Sequence, residues 1–270
     1  MAFPTGYTKY QEVTIDNTKV SADLTDYVVY IDLADLDKAG SDIFDTCRSD
    51  GGDIRVTKSD GTTELAREIV NIDTTAKTGE IHVKFSGTLS SSADTTIRIY
   101  YNGTDTEPAS TATYGSEAVW SNYVAVYHMD DTSDSTGNGF TLVGQGGVTT
   151  GGATGKVGTA TALDGVDDFF TVADNASLDP QAGDWTVSAW ANTNDYTERT
   201  SAVWKGRVSG DWWNLGFEGS GFSNDNGWLM DDGVDFDGAR GGGGTVANNT
   251  WIVTGKRDLS KQQMFVLYSR

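Results

Sequence analysis

The sequence predicts an all-β protein built as two tandem antiparallel β-sandwiches. Three observations point there. Short runs of β-branched and aromatic residues alternate with polar ones at a period of two. Asp, Asn and Gly turns separate these runs. Residue usage also changes along the chain: all 8 Trp lie at or after Trp120, as do 24 of the 33 Gly, whereas Lys and Arg are spread evenly. A shift in core-forming residues without one in basic residues indicates two modules with different interiors. The boundaries read as 1–101 for the first module, 102–117 for a linker and 118–270 for the second.

In the first module, residues 10–15 alternate as a half-buried strand, and residues 27–33 read as a buried strand because they form a short β-branched and aromatic run. Residues 35–50 are the one place for a short helix or long loop. Residues 54–70 form the clearest hairpin, since Asp60-Gly61 tolerates the positive backbone angles of a tight turn. Residues 79–85 place Ile81, Val83 and Phe85 on one face, and His82 and Lys84 on the other, toward solvent. A last strand covers residues 94–101. The polar stretch 102–117, with Pro108, reads as the linker.

The second module opens with Val124, Val126 and His128 alternating with Tyr123, Ala125, Tyr127 and Met129, a strand pattern. An acidic glycine loop follows from Asp134 to Gly139, then Gly155 to Gly158, Leu163 to Phe169 and Trp185 to Trp190. This order of motifs resembles the concanavalin A-like family of jelly-roll sandwiches, in its laminin-G or pentraxin-like branch. The resemblance covers roughly the last 150 residues. It implies a domain that binds glycans or proteins on cell surfaces, often with calcium, and only in some branches an enzyme. It also implies further strands after residues 251–268, so the second sandwich is expected to be incomplete at its C-terminus, or completed by a neighbouring subunit. The first module resembles an uncharacterised β-domain family that often precedes such a domain. Residues 53–65, 89–97 and 99–103 carry that likeness, with Gly6 to Tyr10 a tolerable match to the family's opening. It implies no activity.

A formal charge of -20 argues against nucleic acid and anionic membranes as partners, because no basic stripe is present to displace counterions. Cys47 is the one cysteine, which excludes an internal disulfide framework. No apolar run approaches a membrane span, and no export signal is visible at the N-terminus. A surface-type architecture without such a signal suggests a virion surface protein made in a host cytoplasm, with an extracellular or cell-envelope location as the other possibility. Further subunits of a larger assembly are then expected partners.

No nucleophile elbow, zinc-helix motif, phosphate loop or paired-glutamate strand is present, so no catalytic residue is assigned and the chain is read as non-enzymatic. His128 reads as a packing histidine. Calcium is the favoured cofactor, since hard cations take several oxygens from flexible carboxylate loops: Asp130, Asp134 and Asn138 would converge with Asp164 or Asp167. The competing reading is that Asp and Asn are simply good turn residues. For a glycan, Trp212 and Trp213 are the candidate stacking rings. Neighbours on a strand face opposite ways, so one of the two should be exposed. Asp211, Asn214, Trp228, Asp235 and Asp237 would supply polar and flanking contacts. The function expected is therefore recognition of a cell-surface glycan or protein. The alternative is a ligand-free virion decoration, fibre or envelope component, and a polysaccharide-degrading enzyme comes third.

Overall fold

The computed structural model describes residues 5–179, 185–192, 200–206, 212–217, 226–231, 236–240, 255–257 and 266–268. The chain is all-β and divides into two units, Met1–Ser121 and Asn122–Arg270.

The first unit is a two-sheet sandwich. Its strands are β1 (Lys9–Ile15), β2 (Leu24–Asp32), β3 (Arg55–Lys58), β4 (Glu64–Leu65), β5 (Arg67–Asp73), β6 (Thr78–Leu89) and β7 (Thr95–Tyr101). One sheet has the order β1-β7-β3-β4 and the other β2-β6-β5, with every pair antiparallel. Strand β1 shows the alternation its sequence predicts, with Val13 and Ile15 packed on the core and Tyr10, Glu12 and Thr14 exposed. Ile81, Val83 and Phe85 of β6 meet Val56 of β3 and Ile97 and Ile99 of β7 in that core. Each fully buried side chain of this size contributes about 1.5–3 kcal/mol.

Residues 33–46 form two short helices, α1 (Leu33–Lys38) and α2 (Ile43–Thr46). Asp32 caps the first by accepting from Ala34 N–H at 2.9 Å. Leu33, Leu36, Ile43 and Phe44 join the sandwich core.

Two expectations need correction. Strand β2 is half-buried rather than buried: Tyr30 pairs with His82 on the face away from the core, and Tyr27, although paired with core residue Phe85, remains exposed near the strand's start. A bulge between Thr25 and Tyr27 sets its register, and Asp26 takes φ 52° there while its Oδ1 holds the amide of Gly87 at 2.8 Å. The hairpin about Asp60-Gly61 forms, but β4 is only two residues long, and the chain then crosses to the other sheet as β5. Asp60 Oδ1 accepts from the amides of Thr62 and Thr63, both at 2.8 Å, and Gly61 has φ +68°.

The stretch 102–117, expected as a linker, is bound to the first unit. Thr106 O accepts from Arg55, Glu107 pairs with Arg67, and Tyr114 O accepts from Arg67 N–H. Helix α3 (Ser116–Val119) follows and rests on β5 and β6.

The second unit contains β8 (Val143–Gln145), β9 (Gly152–Thr154), β10 (Thr159–Thr161), β11 (Phe169–Thr171), β12 (Trp185–Trp190), β13 (Thr200–Lys205), β14 (Trp212–Phe217), β15 (Asn226–Asp231), β16 (Phe236–Arg240), β17 (Gly255–Arg257) and β18 (Val266–Tyr268). These make ladders β10-β9, β11-β8, β17-β12-β18 and β13-β14-β15-β16. All pairs are antiparallel except β12 with β18, which run parallel. Ala125, Tyr127, Met129 and Leu142 form a core with Phe140, Val157, Phe170, Val172 and Trp190 against it.

The strand expected at residues 123–129 is not formed. Ala125 to Met129 are all buried, but no ladder includes them. Backbone groups of Val124 and Val126 are taken up by the loop that follows. Val126 O accepts from Ser135 N–H at 3.0 Å, and Val124 O accepts from the Asn138 side-chain amide at 3.0 Å. A backbone satisfied this way needs no neighbouring strand.

Candidate functional site

Asp134 sits at the centre of that loop. Its Oδ1 accepts from the amides of Val126 (3.1 Å) and Thr136 (3.0 Å), and its Oδ2 from the amide of Phe140 (3.2 Å). The Thr136 hydroxyl donates to the same carboxylate at 2.8 Å. Both oxygens are therefore committed to protein donors, and Asn138 is committed to Val124. In this arrangement these residues act as loop staples. Asp134→Ala is expected to cost about 2–3 kcal/mol, the scale of hydrogen bonds to a charged group. Urea unfolding should show this loss equally in calcium and in chelator; a loss seen only in calcium would make Asp134 a ligand.

Asp130 is partly buried and its Oδ1 accepts from the amide of Asp131 at 3.0 Å. Burial pushes its carboxyl above the usual aspartate range, with His128 opposing and Asp131 adding to the rise. A raised folded value means the group's contribution is full below the ordinary value and is lost as pH rises through the raised one. Carboxyl-carbon NMR in chelator should thus place its midpoint above about 3.9. His128 itself is buried.

Asp164 and Asp167 do come together, joined by Asp168, which sequence reasoning did not select. Their ligand oxygens lie within 4.8 Å of one another. The loop is a tight acidic turn: Asp164 Oδ1 accepts from Val166 N–H at 2.8 Å and from Asp167 N–H at 3.3 Å. The Val166 amide foremost holds the Asp164 carboxyl below its usual range. Asp130 and Asp134 are not in this group. Gly146, in the turn that follows β8, fits against the loop because a Cβ there would stand 2.2 Å from Asp167 O, at φ +71°. Beside the acids, Val166 is 84% exposed and Phe169 51%.

The aromatic candidates lie on β14 and β15. Directly paired residues share a sheet face. Trp204↔Asn214, Trp212↔Asp231 and Asn214↔Leu229 therefore place Trp212 and Asn214 at positions on the face of Trp204. Trp213 and Trp228 hold positions on the opposite face, with Leu215, which is buried, and Met230↔Asp237 puts Asp237 there too. The expected residues are thus divided between two faces. Asp211 and Asp235 lie outside the described residues. Trp204, which sequence reading passed over, is 54% exposed. Its nearness to the paired tryptophans in the next strand was the available signal.

Sequence reading also missed two polar groupings in the first unit. In one, Arg67 Nε donates to Ile54 O at 2.8 Å and its Nη1 to both Glu107 oxygens at 2.5 and 2.7 Å. Arg55 beside it donates to Gly52 O and Thr106 O and pairs with Glu64 at 3.5 Å. Burial raises the Glu64 carboxyl against the pull of Arg55. In the other, His82, expected in solvent, is buried with its Nε2 2.8 Å from Glu80. Trp120 covers it at 5.1 Å between rings, and donates its indole N–H to Glu68 at 2.5 Å. The outer face of β6 is thus closed by α3 and Trp120, which no strand periodicity could reveal.

Residues 50–141 match the profile of a domain of unknown function (DUF2341). The match takes in under half of the chain, and includes residues 53–65, 89–97 and 99–103, on which the resemblance to an uncharacterised β-domain family rests. No match to a concanavalin A-like or laminin-G family was found. No curated protein and no solved structure matches the chain. Among the described residues no helix is long and apolar enough to cross a membrane.

Proposed function

We propose that the chain is a non-enzymatic recognition module whose second unit adheres to a glycan or protein on a cell surface. The observation that carries this reading is the exposure of large apolar side chains there, with Trp204 foremost. Exposed rings are what a recognition surface offers and a plain spacer does not need. The resemblance to the concanavalin A-like sandwiches supports the same role, exercised at a virion surface or outside the cell. Calcium assistance rests on Asp164, Asp167 and Asp168, which offer carboxylate oxygens of the hard kind calcium prefers; Asp130, Asp134 and Asn138 fit less well, given their internal bonds.

One observation favours the structural alternative. Val143 and Phe169 are both exposed on one face of the β8-β11 ladder, beside Gln145 and Thr171, two large apolar side chains that a neighbouring subunit in a virion or envelope assembly would cover. A glycan array probed with the purified chain, in calcium and in chelator, separates the readings. Saturable binding to recovered, uncleaved glycans supports recognition, and loss in chelator and in Asp167→Asn assigns the calcium role. Silence from a folded chain that self-associates would favour the structural component.

A further inference from the structure

We propose that the face of the β13-β14-β15-β16 sheet bearing Trp204 binds a neutral oligosaccharide, with Trp204 as its stacking platform; this rests on the recognition reading above. The two faces of this sheet differ in chemistry. Lys205 follows Trp204 on β13 and so has the opposite parity, and its ammonium bonds to Asn175 O at 3.0 Å and Asp179 at 2.5 Å. The segment around Ala176–Leu178 therefore lies on the Lys205 side, where the positions of Trp213, Leu215, Trp228 and Met230 make an apolar set. That is the core face.

On the other side, Trp204 is 54% exposed, and its indole N–H is already given to Gly206 O at 3.1 Å. What it presents outward is ring surface, which suits the C–H face of a pyranose. Across the ladder from it stands Asn214, with Trp212 two positions along β14. Gly216↔Gly227 is a directly opposed glycine pair on the same face, a floor with no side chains to keep a ligand off. Asn214 and Asp231 hold register positions on this face, and an amide and a carboxylate residue together are the donor and acceptor types that vicinal hydroxyls need.

Charge selects the class of sugar. Asp231 and Arg240 share this face at opposite ends of β15 and β16 pairing, so it is balanced, within a chain of formal charge -20. A sulfated or uronic-acid glycan would meet repulsion from the molecule as a whole. A neutral chain of hexoses meets none.

The test is isothermal titration calorimetry of the full chain with linear glucose, mannose and galactose oligosaccharides, and a sulfated galactose oligosaccharide as the charged comparison. At least one neutral oligomer should bind, with Trp204→Ala weakening it about tenfold, the scale of one stacking contact. Asn214→Ala should also weaken it, and Trp204→Tyr, which keeps a ring, should lose less than Trp204→Ala. Tyr10→Ala, on the first unit, should change nothing. Circular dichroism establishes that each variant is folded, and should Trp204→Ala fail there, Trp204→Tyr and Asn214→Ala carry the comparison. Neutral binding that ignores the Trp204 and Asn214 variants would overturn this site while leaving the recognition reading standing. Tighter binding of the sulfated oligomer would overturn the class of ligand. No sugar bound here or on the array would overturn both.

Discussion

Replacing Arg67 with alanine lowers the stability of the first unit by about 3–5 kcal/mol, the range for breaking a buried ion pair. Arg67 is 0% exposed although it carries a charge. Its guanidinium serves Ile54 O and both oxygens of Glu107, and so ties β3, β5 and the 102–107 segment together. Alanine removes one of the two donors to Ile54 O, which keeps Arg55 Nη1 at 2.9 Å, takes the partner from Glu107, and leaves a cavity the size of the lost side chain. Glu107→Ala has a comparable effect for a different reason, since it strips the counter-charge from a cation that water cannot reach. The Glu107 carboxylate is 44% exposed and can be rehydrated, whereas Arg67 cannot. The double variant Arg67→Met with Glu107→Gln should therefore lose less than the sum of the single changes. Urea unfolding followed by circular dichroism measures all of these; a cost under about 1 kcal/mol for Arg67→Ala would place the pair with ordinary surface bridges.

Trp120→Ala is the second large effect, also about 3–5 kcal/mol, as for other buried tryptophans truncated to alanine. The ring is 2% exposed, lies on His82, and donates to Glu68. Trp120→Phe separates the two contributions. It keeps most of the apolar burial but takes the indole donor from a buried carboxylate, which costs about 1–3 kcal/mol. Hydrogen exchange in β5 and β6 reads the location of the damage. Faster exchange there identifies Trp120 as the cover of this sheet, and unchanged exchange would refute that role.

The contact division falls after Ser121, and Trp120, which composition assigns to the second module, packs within the first unit. Composition identifies that two interiors exist. It does not say which interior a single aromatic at the junction joins, because that depends on where α3 lies against the sheet.

The same distinction runs through the loops. Asp134 and Asn138 were legible as turn or ligand residues, and both readings rest on the same oxygen chemistry. The folded loop adds what the sequence could not, by bringing the amides of Val126 and Phe140 to the Asp134 carboxylate, and the unfolding comparison in calcium and chelator separates the two readings. Asp168 joins Asp164 and Asp167 because the tight turn gathers the oxygens of all three.

By itself the sequence determined the β class, the inward set Ile81, Val83 and Phe85, the turn at Asp60-Gly61 and an interruption of the strands after β2, open between a short helix and a long loop. All of these follow from local backbone preference and from a period of two, which neighbouring residues specify among themselves. Tertiary structure alone decided that His82 is buried, that residues 123–129 lie outside any ladder, that Arg67 is interior, and that Trp212 and Asn214 hold positions beside Trp204. Periodicity tells which residues share a face; what covers that face is set by segments distant in the chain, and so appears only when they pack.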